Sequence, residues 1–206
     1  MPTGPGGLDA NGVWQYGEDD TEALASDLLN LGMASISTEV GLLDAAVAAI
    51  VTGQILQVVS VTKTDTFSTT STSLTDVTGF TATITPSSTS SEILVMTSCV
   101  IGSTAATGSR TVVLQLLRDS TQIFKGDTAG SRESGSAARP PYISARDLDS
   151  GNIQHLDSPS STSPVTYKIQ MKVSGATGTL GRSGEDGDSE AGTRVPSSIT
   201  LMEVAG

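Results

Sequence analysis

The sequence predicts a mainly β protein: a jelly-roll-like antiparallel β-sandwich preceded by a short helical coiled-coil segment and an extended N-terminal segment. Three observations carry this. The apolar residues Leu29, Met33, Ile36, Val40, Leu43, Val47 and Ile50 follow one another at alternating spacings of four and three, the a/d pattern of a helix that buries a narrow seam against copies of itself. From Gln54 onward the apolar period changes to two, and no helical period returns. Pro86, Pro140, Pro141, Pro159, Pro164 and Pro196 all fall between the apolar runs, where strand breakers belong. The expected division is an N-terminal segment over 1–32, a coiled-coil helix over 33–53 and a β head over 54–206.

Residues 1–13 are rich in Gly and Pro and are expected to lack regular structure. Trp14 and Tyr16 follow, the only aromatics before Phe67; they need cover, either from a partner protein or from the chain's own helices. Asp19 and Glu22 have the spacing of a capping box, and the acidic group Glu18, Asp19 and Asp20 suits a helix N-terminus. Asn30-Leu31-Gly32 reads as a stop, dividing one helix over about 20–30 from a second over about 34–51. The secure seam is then Ile36, Val40, Leu43, Val47 and Ile50, too short to hold an oligomer without help from the head. Thr52-Gly53 ends the second helix.

In the β region, Glu92 to Ile101 is apolar on both faces, as a central strand would be. Thr166 to Val173 alternates cleanly, with Tyr167, Ile169, Met171 and Val173 inward. Arg110 to Arg118, Gln122 to Lys125 and Ser197 to Val204 read as further strands. The longest loops are expected at about 102–109, 126–139 and 183–196.

The chain carries 22 carboxylates against 11 basic residues, and no Lys or Arg precedes Lys63. Such a chain does not attract a phosphate backbone, so nucleic acid is not expected as a partner. The acidic leader is either a solvated segment or one that docks on a basic surface. No apolar run approaches the roughly 20 residues of a spanning helix, and the N-terminus has neither the basic start nor the apolar core of a secretory signal. The expectation is a chain made in a cytoplasm that does not enter a membrane.

Candidate chemistry is sparse. His155 is the single histidine and Asp157 points the same way, but no nucleophile elbow accompanies them. Cys99 is the single cysteine and shares a face with Ile93, Val95 and Ile101, which makes it a buried, inert thiol. One His and one Cys do not make a zinc site. Asp147, Asp149 and Asn152 around Gly151, and Glu185, Asp186, Asp188 and Glu190 around Gly187, are acidic loops that calcium tolerates, although neither has the EF-hand pattern. Their default reading is solvated turns. No cofactor and no catalytic residue are expected.

The stretch GVWQYGEDDTEALASDLLNLGMASIS (12–37) resembles the N-termini of small virion proteins of tailed bacteriophages, of the minor tail or fibre type. STSLTDVTGFTATITPSSTSSEILV (71–95), LDSPSSTSPVTYKIQMKV (156–173) and SITLMEVAG (198–206) resemble phage fibre-like and virion structural domains. The resemblance implies a homotrimeric appendage whose residues 1–32, with Trp14, Tyr16, Glu18, Asp19 and Asp20, join other virion proteins of tail, neck or capsid. The coiled coil follows, and the loops of the β head face outward toward a bacterial surface glycan or protein. A capsid decoration or head fibre protein that coats the shell is the nearest alternative, and a surface-polysaccharide depolymerase a more distant one. A secreted lectin-like sandwich is disfavoured by the missing signal sequence.

Overall fold

The computed structural model describes the backbone of residues 7–8, 10–11, 14–15, 18–105, 111–139, 144–190 and 192–206, and the side chains of 10–11, 29–47, 52–105, 111–139, 144–190 and 192–206. The chain divides into two units, Met1–Thr52 and Gly53–Gly206.

In the first unit, β1 (Gly7–Leu8) pairs antiparallel with β2 (Trp14–Gln15), placing Leu8 opposite Trp14. The leader was expected to be irregular here. Asn11-Gly12 is the overlooked signal, a dipeptide that favours hairpin turns. Helix α1 (Glu18–Val51) then runs for 34 residues, about 51 Å at 1.5 Å per residue. It passes through Gly32 and Gly41 without interruption, so the expected stop at Asn30-Leu31-Gly32 does not occur. Each glycine costs about 1 kcal/mol relative to Ala, which the helix formers Leu28, Leu29, Leu31 and Ala34 around Gly32 offset. The Ser35 and Thr38 hydroxyls donate back to the carbonyls of Gly32 and Ala34, both at 2.9 Å, instead of competing for the backbone. The helix ends where Thr52-Gly53 predicted, with Gly53 in the left-handed region at φ +79°.

The second unit is a two-layer sandwich. One ladder joins β3 (Ile55–Lys63), β15 (Ser197–Val204), β6 (Glu92–Ser98) and β12 (Ile153–Asp157) in that spatial order. The facing ladder joins β5 (Thr75–Ile84), β13 (Val165–Val173), β8 (Val112–Arg118) and β10 (Ala137–Arg139), with β9 (Thr121–Gln122) also beside β8. Every pairing is antiparallel. Along the chain, β3, β5, β6, β8, β10, β12, β13 and β15 fall in the first, second, first, second, second, first, second and first ladder. That is the wiring of an eight-stranded jelly roll.

A third ladder, of β11 (Leu148–Ser150), β7 (Val100–Ser103), β14 (Gly178–Leu180) and β4 (Phe67–Thr69), prolongs the first. The expected strand over 92–101 is thus divided at Cys99. There the Cys99 N–H donates to Asn152 Oδ1 (3.0 Å), and its carbonyl accepts from the Gly151 N–H (2.9 Å).

Alternation decides what lies between the layers. Tyr167, Ile169, Met171 and Val173 are buried as the sequence predicts, in one cluster with Phe80, Ile84, Ile93, Val95, Leu114, Leu116, Ile199 and Leu201. The strand buried on both faces is β8, whereas β6 was expected in that role. Residues 123–136 cover its outer face, where the Gln115 amide Nε2 donates to the carbonyls of Leu116 and Ile123 (2.8 Å each) and to Ser136 Oγ (3.0 Å). The strand expected over 122–125 stops at Gln122 because Phe124 turns to φ +47°, which no extended segment adopts.

Two buried carboxylates hold the sandwich, one across its layers and one against the loop that joins β5 to β6. Asp157 of β12 accepts both bonds of Arg118 Nη1 (2.9 and 3.0 Å) and the Tyr167 hydroxyl (2.6 Å), linking one ladder to β8 and β13 of the other. Burial, then the Asp157 carboxylate, pushes the ionisation of the Tyr167 phenol far up, so it remains a donor. Removing the acid with Asp157→Ala strands a half-buried guanidinium and a buried hydroxyl, and is expected to cost about 3–5 kcal/mol. Urea unfolding measures this; a loss below about 1 kcal/mol would show that the cluster contributes little.

Glu203, on the inward face of β15, accepts the Ser87 N–H and hydroxyl, both at 2.6 Å. Burial opposes its charge, but the Ser87 bonds outweigh it and hold the carboxyl below its ordinary 4.5. The stability this gives is complete at neutral pH and is lost as pH falls below about 4.5 through the lower folded value. Ser87→Ala should therefore lower the melting temperature at pH 7, with the difference shrinking near pH 3; a penalty independent of pH would sink this account.

Candidate functional site

The apolar stripe expected as an oligomer seam is the feature of α1 that bears on a functional reading. Because the helix is continuous, Leu29 and Met33 stay on the stripe, which runs from Leu29 to Ile50 as three heptads rather than two. Met33, Val40 and Val47 take a positions, and Leu29, Ile36, Leu43 and Ile50 take d. The described members Leu29, Met33, Ile36, Val40, Leu43 and Val47 are 52–68% exposed in the single chain, while the side chain of Ile50 lies outside the described residues. Each such side chain, if fully covered, contributes about 1.5–3 kcal/mol.

Charge on the flanks works against the seam. Glu39 is at g and Asp44, five residues on, at e, and α1 has no basic residue in its last turn. In a parallel assembly these positions of neighbouring helices face each other, so the acids repel by a few tenths of a kcal/mol per pair, less as salt rises. Replacing Ile36, Leu43 and Ile50 together by Ser should convert an oligomer to monomers in sedimentation equilibrium. An unchanged mass would remove the coiled-coil reading.

Of the residues expected to dock on a particle, Trp14 has its backbone in β2 and Glu18, Asp19 and Asp20 have theirs in the first turn of α1. Their side chains, and all of Tyr16, lie outside the described residues.

On the head, most of the groups weighed for chemistry have other employment. Asp157 is held by Arg118 and Tyr167, and His155 stacks on Phe124 with ring centroids 4.9 Å apart. Cys99 is fully buried, and burial pushes its thiol up to about 11. The acidic loops are answered by arginines: Glu185 accepts Arg146 Nε (2.7 Å), and Asp186 accepts Arg194 Nη2 (2.8 Å) and lies 3.7 Å from Arg182. The arginines hold both carboxyls below their ordinary range. Asp149 pairs with Arg139, Asp147 accepts the Ser144 N–H (2.8 Å), and Asn152 caps Cys99. Among the described residues, no three His, Cys, Asp or Glu side chains converge as metal ligands would.

Register exposes a feature that sequence reasoning did not single out. Val58 pairs with Met202, Met202 with Leu94, and Leu94 with Leu156, so one apolar row crosses all four strands of the first ladder on its outer face. Val58 is 55% and Leu156 46% exposed. Only the pairing of strands distant in sequence aligns them. Toward the other end the same face turns polar, and a shallow depression of about 290 Å³ is lined by Thr97, Ser98, Asn152, Gln154, Ser198 and Thr200 with Met96 and Met202.

The chain has no significant match among protein-family models or curated proteins. Among solved structures it is similar to the VP2 protein of infectious bursal disease virus in derived T=1 particles, at 13% identity and a TM-score of 0.38 over 72% of this chain and 36% of that one. The Gx strain of that virus matches at 13% and 0.39, over 73% and 37%, and the Gt strain at 12% and 0.36, over 73% and 38%. The chain spans less than two fifths of the length of these structures. Its jelly-roll assignment rests on its own strand order.

Proposed function

We propose that the chain is a structural protein of a bacteriophage virion, a short homotrimeric fibre fixed to the particle by residues 1–32, with the β head outward for attachment to a host surface. The observation that carries the reading is the exposed seam. A helix of 34 residues with an unbroken a/d stripe, its described members 52–68% exposed, lacks cover that further copies would supply. The resemblance of residues 12–37 and of the β stretches to phage fibre-like proteins supplies the setting.

Two depressions of the head are lined by small polar side chains and methionines in one case and by Asp186, Asp188, Ser189 and Arg194 in the other, whereas a polysaccharide-cleaving groove usually combines paired acids with aromatic platforms. A capsid decoration protein would share the seam and the head, and would differ in where the N-terminal segment docks.

Trp14→Ser with Tyr16→Ser in the full chain is expected to leave the mass in solution unchanged and to abolish incorporation into particles, read by blotting purified virions. Undiminished incorporation would move the docking role away from the leader.

A further inference from the structure

We propose that the outer face of the β3-β15-β6-β12 ladder, centred on the row Val58, Met202, Leu94 and Leu156, is a second interface between copies of this chain. The proposal rests on the oligomeric reading above and names the surface by which the heads complete it.

The two outer faces of the sandwich differ in kind. On the β5-β13 side, Asp76 binds Lys168 (2.8 Å) and Gln170 (2.7 Å), and Lys172 pairs with Glu133, as on a surface built for water. On the β3-β15-β6-β12 side the outward residues are apolar or are Ser, Thr, Asn and Gln. The one charge is Glu92 at the rim, where it accepts the Ser158 hydroxyl (3.0 Å). Most of the net charge of −11 lies before Lys63, where eight acids stand without a base, while the remaining residues carry 14 acids against 11 bases, so the head itself is only mildly acidic. This face is where two copies meet without like charges opposed. A partner selected by charge would find no row of carboxylates or bases here to pair with, whereas a second copy presents the same apolar row.

The covalent path points the same way. Only residues 52–54 separate the end of α1 from the start of β3, at most about 14 Å of chain from Val51 to Ile55. Packed helices lie about 8–10 Å apart, so copies joined through the seam start their β3 strands within about 40 Å of one another. Among the described residues that strand is an edge, paired on one side only, and its first residues Ile55, Leu56 and Val58 are exposed.

Single cysteines at Val58→Cys and Leu156→Cys in the full chain, with Thr81→Cys on the opposite outer face as reference, test this by their alkylation rates with a maleimide–polyethylene glycol. At concentrations where sedimentation gives an oligomer, positions 58 and 156 should react about tenfold more slowly than position 81, equivalent to ~1.4 kcal/mol of protection. In the Ile36/Leu43/Ile50→Ser background the difference should vanish. Equal rates in an oligomer would overturn the proposed face while leaving the helical seam intact; a monomeric mass would overturn both.

Discussion

Tyr167, Ile169, Met171 and Val173 point inward from β13 with Lys168, Gln170 and Lys172 between them, and the rest of the head depends on that alternation. Strand β13 lies between β5 and β8 in its ladder, and its inward residues share one aliphatic cluster with Ile93 and Val95 of β6 and Ile199 and Leu201 of β15. With only 3% aromatic residues, the core is built from many medium-sized side chains. Register therefore matters more than any single residue, because a slip by one would turn the whole inner set of a strand outward. Asp157, bonded to residues of both facing strands, adds a polar constraint that only one register satisfies.

Much of this was legible in the chain. The change of period at Gln54, the inward set of β13 and the burial of Cys99 all follow from local pattern, and the structure has them. Non-local pairing was not legible. The two-faced burial of β8 depends on residues 123–136 folding over Val113, Gln115 and Leu117, and the row from Val58 to Leu156 exists only through pairings between strands far apart in sequence. Gly32 failed as a stop for a different reason. A single glycine penalty is small against a run of residues that all favour helix.

The unbroken helix strengthens the seam without making it self-sufficient. Association costs about 4–15 kcal/mol in lost freedom, and the acids Glu39 and Asp44 on the flanks subtract from what three heptads supply. An oligomer of this chain would need help from the heads, whose strand β3 begins three residues after the helix. If the helical seam and the sheet face both join copies, they would act together as linked sites do: once one is joined, the other would meet its partner at high effective concentration.

Cys99 has a consequence for life outside a reducing compartment. An exposed lone thiol would, in air or in an oxidising medium, couple chains into disulfide dimers and tie separate assemblies to one another. With its sulfur enclosed and its proton held to about 11, Cys99 presents almost no thiolate to oxidants or alkylating agents. The folded chain is thereby insulated from redox chemistry at its one sulfur nucleophile, and any cysteine introduced on its surface reports against a silent background.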